Sequence, residues 1–328
     1  CYSRGGEAAT VTDANLLLGR LAANDFTGSG INISVDRARD VIAEQVGKAL
    51  ALTDSAGAAA ISEVVEEQMA GAAREHAREK GIDLRRRSMV AFGGAAPLHA
   101  VNVAAKLGIN RVIIPQAAGI GSAIGFLQSS AVFEISHSIR VLMSCFDASL
   151  FNQHFAAISR NVSAAVEAAA PGIPVDETRT LFMHYKGQGH SLAVEIPTRD
   201  LTDDDAVLLL SAFEEKYISV YRRPLAGIDV ECVGISLRMS SNEDLLPVRN
   251  IINTGPADVP DTTDLFDLME NDYANVPTMS RSKMEPDTIF QGPGLIKDDG
   301  TTVVVPQGYI ATCYDTGHLV ITLQGDQA

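Results

Sequence analysis

The chain has 328 residues, 46% of them hydrophobic, and a formal net charge of −15. That is enough apolar material for a sizeable core and one to three domains. The negative balance argues against nucleic acid or an anionic membrane surface as partner, because both need basic patches. No apolar run reaches the ~20 residues of a membrane helix.

The N-terminal segment CYSRGGEAATVTDANLLLGRL opens in a glycine turn without an initiator Met. It reads as the middle of a longer polypeptide, with Cys1 as an N-terminal nucleophile the competing reading. The four cysteines are far apart and form no CxxC pair, so they are expected to be reduced thiols of a cytoplasmic protein. A helix is expected over residues 10–21, with Thr12 and Asp13 as cap candidates. Residues 24–34 read as a loop. A second helix is expected over 35–52, ended by the breaker TDSAG. A third, over 58–80, carries Ile61, Val64, Val65, Met69 and Ala72 at helical spacing, with Glu63, Glu66, Glu67, Arg74 and Glu79 on a solvated face. Gly81 closes it.

The period then shortens. SMVAF is a buried strand, PLHAVNVAAKLG a helix with Pro97 in its first turn, and NRVIIP a second strand. QAAGIGSAIGFLQSS is a glycine loop that opens another helix. Strand, helix, strand, loop and helix make an α/β layout with a parallel pair. After Ser144 a helix, the hairpin TRTLFMHYKGQGHSLAVEIP with KGQG at its turn, an acidic-capped helix and the alternating DVECVGISLRMS make a small α+β domain. Residues 241–285 read as an irregular surface wrap and the remainder as short strands. The expected domains are 1–144, 145–240 and 241–328.

The chemistry concentrates at two junctions. VAFGGAAPLHA ends a buried strand in Gly93 and Gly94 and feeds a helix. Missing side chains there let another molecule approach the backbone, at the carboxyl end of a strand where open α/β sheets bind ligands. A tight turn without ligand explains a lone Gly-Gly equally. AGIGSAIG, at the end of the next strand, would join it in one shelf. Neither loop is a GxGxxG or a Walker loop. His99 stands one turn into the helix and reads as a ligand contact or a structural histidine. Arg4, Gly5, Gly6 and Asp13 read as a cleft lining, although a helix cap explains Asp13 as well. His184 and His190 flank the KGQG turn, without a carboxylate in register to make a metal pair. No Ser/His/Asp triad, HExxH or nucleophile elbow is present.

These motifs give the chain a recognisable kinship. CYSRGGEAATVTDANLLLGRL, VAFGGAAPLHA, AGIGSAIGFL, YKGQGH and GPGLIKDDGTTVVVPQGY resemble, in order, the C-terminal half of the hydantoinase A/5-oxoprolinase family, which includes subunits of acetone and acetophenone carboxylases. The resemblance implies part of an actin/sugar-kinase/Hsp70-like (ribonuclease H-like) ATPase lobe, followed by a small α+β domain and a β-rich C-terminal segment. It implies ATP and Mg²⁺ as cofactors, with Gly93, Gly94, Ala95, Ala96, Pro97 and His99 around the adenosine and Gly119, Gly121 and Ser122 in the second connecting helix. It implies an enzyme that phosphorylates an amide carbonyl for opening of a cyclic amide; the alternatives are a ketone carboxylase subunit and a scaffold subunit with a dead nucleotide site. The family's usual loop is GGAGP, and Ala96 here replaces the third glycine. The phosphate- and metal-holding loops lie upstream of the matching region. The expected partners are therefore a chain that carries the phosphate lobe, a hydantoinase B-like subunit and a small amide or ketone.

Overall fold

The computed structural model describes residues 1–2, 4–23, 33–242, 259, 261–268 and 270–325. The expected loop at 24–34 lies almost wholly outside them, as does most of the segment from 243 to 260. The chain divides into two units: residues 1–127 with 247–328, and residues 128–246.

Helix α1 (Val11–Leu17) is shorter than expected and capped one turn earlier. Thr10 is the cap, and Asp13 is the third helical residue of a capping box: the Asp13 amide donates to the Thr10 hydroxyl, and Asp13 accepts from the Thr10 amide at 2.8 Å. The helix stops because Gly19, with φ +75°, lies directly against the Asp264 carbonyl. Helix α2 (Val35–Ile42) runs through a π turn at Ala43–Gly47 into the single turn α3 (Lys48–Leu50). Helix α4 (Asp54–Glu79) begins inside the expected breaker, with the Thr53 hydroxyl accepting from the Ala56 amide at 3.1 Å. Asp and Ser there serve the helix start rather than ending its predecessor. Its buried face is Gly57, Ala58, Ser62, Glu66, Ala70 and Ala77, whereas Val64 and Met69 are exposed, at 55% and 44%. Small residues, not the large apolar ones, face α1 and the helix that follows, and Glu66 leaves the solvated face assigned to it.

Strand β1 (Met89–Val90), helix α5 (Ala96–Leu107) and strand β2 (Arg111–Ile114) form the expected parallel unit, with Met89 opposite Val112, but β1 is only two residues long and, as an edge strand, leaves Val90 exposed rather than buried. Gly108, left-handed at φ +70°, ends α5. A 3₁₀ turn at Ala118–Ile120 leads into α6 (Gly121–Gln128).

The second unit starts with β3 (Val132–Leu142), which has no counterpart among the expected elements. Then come α7 (Ala148–Ala169), β4 (Val175–Tyr185), β5 (Leu192–Ile196), α8 (Asp205–Tyr221) and β6 (Val230–Ser241). The sheet is antiparallel in the order β3-β6-β4-β5. Phe151, Phe155, Ile158, Val162 and Val166 of α7 and Leu209 and Phe213 of α8 pack on Leu181, Met183, Ile235 and Leu237. Cys232 lies in this core, where burial pushes its thiol pKa up to about 12 and keeps it inert.

The tail returns to the first unit. β7 (Thr262–Asp267) and β8 (Asp272–Ser280) are a hairpin with Leu265, Phe266 and Val276 buried, so the expected surface wrap is a core element where it is described. It belongs there because Phe266 packs in the core with Leu17 and Leu18, Leu265 and Val276 pack with Leu98 and Leu295, and the Phe266 amide donates to the Leu18 carbonyl at 3.0 Å. β9 (Ile289–Gln291), β10 (Gly294–Asp298), β11 (Thr301–Val305), β12 (Tyr309–Cys313) and β13 (Leu319–Leu323) follow. One sheet runs β1-β2-β13-β12-β9 and the other β11-β10-β8-β7.

Candidate functional site

The two glycine loops meet. The Gly93 amide donates to the Ala118 carbonyl at 2.7 Å, and a side-chain carbon at Gly121 would lie 3.3 Å from the Phe92 ring. Gly93 has φ +98°, a left-handed conformation that glycine adopts without strain, and no atom lies within 4 Å of where its side chain would be. Ala95, Ala96 and Ser122 are exposed on the same loops, while Pro97 turns into the core. Ala95 gives α5 no side-chain cap.

The other two glycines have a different occupant. A side-chain carbon at Gly119 would sit 2.6 Å from the Asp299 carbonyl oxygen, and one at Gly94 would sit 3.2 Å from that of Gly300. The Thr301 hydroxyl donates to the Gly94 carbonyl at 2.9 Å. The space beside Gly94 and Gly119 is thus filled by the chain's own β10–β11 turn. Arg281 braces that turn against the shelf. Buried, it pairs with Asp298 at 2.7 Å and donates to the carbonyls of Ile114, at the end of β2, and Gly317. Both backbone bonds satisfy guanidinium donors that burial would otherwise leave costly.

His99 points away from the shelf into a buried network. Its Nδ1 donates to Glu66 at 3.0 Å and its Nε2 accepts from the Asn15 amide at 3.1 Å, so both nitrogens are engaged. Asn15 has its amide on His99 and its carbonyl on Arg20, an orientation that fits the neutral imidazole with the proton on Nδ1. Glu66 also accepts from Arg20, Ser62 and Asn102. Burial opposes its charge, yet the His99 hydrogen bond and the Arg20 guanidinium outweigh that and hold the carboxyl below its ordinary range. Helices α1, α4 and α5 are pinned together through this one carboxylate.

The N-terminal candidates form a second locality. Gly6 and Glu7 line a groove with Cys1, Arg37, Asp40 and Gln45, next to the π turn. Gln45 spans it, accepting from the Ala9 amide and donating to the Glu7 carbonyl. Arg4 and Gly5 are exposed. Asp13 is buried, and its carboxylate accepts from the Thr10 hydroxyl at 2.6 Å as well as from the Thr10 amide.

In the second unit the pairing of β4 with β6 brings His184 beside Glu231, 3.1 Å from Nε2 to Oε2. This carboxylate is in register with His184 across the sheet, which local sequence does not reveal. His190 is exposed. Among the described residues no group of three or more His, Cys, Asp or Glu is placed to hold a metal ion.

The sequence model of the hydantoinase/oxoprolinase family matches residues 1–135, and that of the hydantoinase/oxoprolinase C-terminal domain matches residues 163–323. The chain belongs to this family. Caprolactamase subunit alpha of Pseudomonas jessenii is 25% identical over 317 residues, which are 94% of this chain and 45% of that protein. The nucleotide-free structure of acetone carboxylase, from work on ATP-dependent acetone carboxylation, superposes with a TM-score of 0.80 at 21% identity, over 99% of this chain and 48% of that one. The crystal structure of the ATP-dependent caprolactamase from Pseudomonas jessenii superposes with a TM-score of 0.72 at 23% identity, over 98% and 48%. The chain therefore spans about half the length of these relatives and shares their fold over that half.

Proposed function

We propose that the chain is the adenosine-holding half of an ATP-dependent enzyme that phosphorylates the carbonyl of a cyclic amide and so opens it to water. The observation that carries this reading is the hydrogen-bonded pair of glycine loops at the ends of two parallel strands, with the Gly93 side open. The half-exposed rings and chains of Phe92 and Ile120 beside it suit the face of an adenine. Gly93, Ala95, Ala96, Gly121 and Ser122 touch the nucleotide in this reading. Gly94 and Gly119 admit the bracing turn, Pro97 starts α5, and His99 fixes its orientation. Bound ATP supplies the phosphoryl group; these residues bind and orient the nucleoside end only. In this reading Mg²⁺ and the phosphates are held by polypeptide beyond this chain; among the described residues no group of three or more His, Cys, Asp or Glu is placed to hold a metal. Arg4, Gly5 and Gly6, exposed, line the interlobe cleft in the same reading.

A partner is part of the proposal. The outer edge of β1 has no neighbouring strand among the described residues, and Val90 on it is exposed, as are Phe92 and Ile120 in the glycine loops and Phe126 and Leu127 on α6, the last two at 83% and 85%. Exposed large apolar side chains of this kind call for cover. The partners are a chain carrying the phosphate lobe and a hydantoinase B-like subunit, in the cytoplasm; no helix among the described residues is long and apolar enough to cross a membrane.

Ketone carboxylation is the second reading, favoured by the likeness to acetone carboxylase. Calorimetric titration of ATP into the assembled protein tests the shared core of both. Ala96→Leu, on an exposed helix-start position, should weaken ATP tenfold or more, about 1.4 kcal/mol, with the melting temperature unchanged. Unaltered affinity in the variant removes the loop from the site. No ATP binding in the wild type supports the scaffold alternative.

A further inference from the structure

The second unit holds an orphan. His184 is 8% exposed, and its Nδ1 is buried without a hydrogen-bond partner among the described residues. Its other nitrogen is spoken for. A carboxylate only accepts, so Nε2 carries the proton it gives to Glu231, and in the neutral ring the lone pair is on Nδ1. Glu231 is itself held: Arg140 lies 3.4 Å from its second oxygen. The ring is therefore fixed in both tautomer and direction. Leu181, Met183 and Tyr185 belong to the core beneath α7 and α8, so His184, between the last two, faces the opposite side of the sheet. The hydroxyl of Tyr185, also unpartnered, faces the core and takes no part.

A buried acceptor left unpaired costs stability, which is why such atoms are rare and worth explaining. An acceptor that two charged neighbours orient, and that no protein donor meets, is suited to a donor brought by a ligand. The turn that follows is open to solvent. Gly187 and Gly189 have nothing within 4 Å of their side-chain positions, and Lys186, Gly187 and Gly189 are exposed.

We propose that His184, oriented by Glu231, is a binding site for the N–H of a small cyclic amide, which it accepts on Nδ1. The ligand class rests on the hydrolytic reading above; the acceptor itself rests on the geometry of this unit alone. A site built to hydrogen-bond an N–H rejects an analogue that lacks it, because the acceptor is then buried unpaired. The probes are accordingly 2-pyrrolidinone and its N-methyl derivative, added to the intact protein labelled with nitrogen-15 in histidine. The expected result is that 2-pyrrolidinone moves the His184 Nδ1 resonance toward the hydrogen-bonded position and N-methyl-2-pyrrolidinone does not. No shift, equal shifts with both, or a proton already on Nδ1 in the free protein overturns the proposal. His184→Gln keeps a donor for Glu231 and should lower 2-pyrrolidinone affinity at least tenfold while ATP affinity stays within twofold. Wild-type affinity for 2-pyrrolidinone in that variant also overturns it. Titration of ATP into the wild type judges the nucleotide reading separately: absence of ATP binding sinks that reading and leaves the pyrrolidinone result to stand or fall alone.

Discussion

Gly119→Ala tests whether the glycines of the second loop exist for the chain's own turn. The added methyl would meet the Asp299 carbonyl oxygen at 2.6 Å and the Gly300 carbonyl carbon at 3.0 Å. Both are backbone atoms, and neither can swing aside as a side-chain end can. The β10–β11 turn must move, against the Arg281–Asp298 pair and the Thr301–Gly94 hydrogen bond that hold it. Overpacking of this kind costs about 1–3 kcal/mol. Alanine recovers about 0.4–1 kcal/mol by reducing the freedom of the unfolded chain. At the midpoints of these ranges the net loss is about 1.3 kcal/mol, measured as a lower urea midpoint at constant slope. Gly94→Ala, whose nearest contact is at 3.2 Å, should lose less. Gly93→Ala meets no atom and is destabilised only by its positive φ, so ligand contact is the only steric role left to it. A neutral or stabilising Gly119→Ala would refute the packing argument.

Two further outcomes follow from the buried polar groups. Glu66→Gln leaves the Arg20 guanidinium buried without its counter-charge and should cost about 3–5 kcal/mol, read by thermal or urea unfolding. Because the Glu66 carboxyl is held below its ordinary value, its contribution is complete above the usual carboxylate range and is lost as pH falls through the lowered value. Glu66→Gln should therefore flatten the acid limb of stability against pH, and an unchanged limb would exclude that carboxyl as its source. Thr10→Ala removes the cap of α1 and should cost about 1 kcal/mol by the same unfolding measurement.

Local signals carried much of the fold. Pro97 and Gly108 bracket α5, and the two short apolar runs on either side of it are the parallel pair β1 and β2. Alternation announced β6, and the glycine turn announced β4 and β5. The misreadings share one cause, which is that solvent exposure is decided by partners distant in sequence. Glu66 looks like one charge in a solvated run, but Ser62 one turn before it and Arg20 from α1's end make it a buried hub. That Ser62 and Glu66 share a helical face was a readable hint. His99 and Asn102 share one too. The occupant of Gly94 and Gly119 was not readable, because it arrives from about 180 residues away in the tail. The same holds for Glu231 opposite His184, which register across the sheet provides.

The placement of β13 has a consequence for the order in which the polypeptide matures. β13 lies between β2 and β12, with Val320 opposite Ile113, so β2 waits for a neighbour synthesised some 200 residues later. The segment between them, residues 128–246, closes its own sheet and core without any strand from outside. On a ribosome that adds residues from the N-terminus, the inserted unit is complete while the flanking one still exposes an open strand edge and the apolar residues of α5. Contacts of such long sequence separation are slow to form. The vulnerable interval for this chain is the time between emergence of β2 and of β13, and the strand most open to a chaperone, or to mispairing, during it is β2.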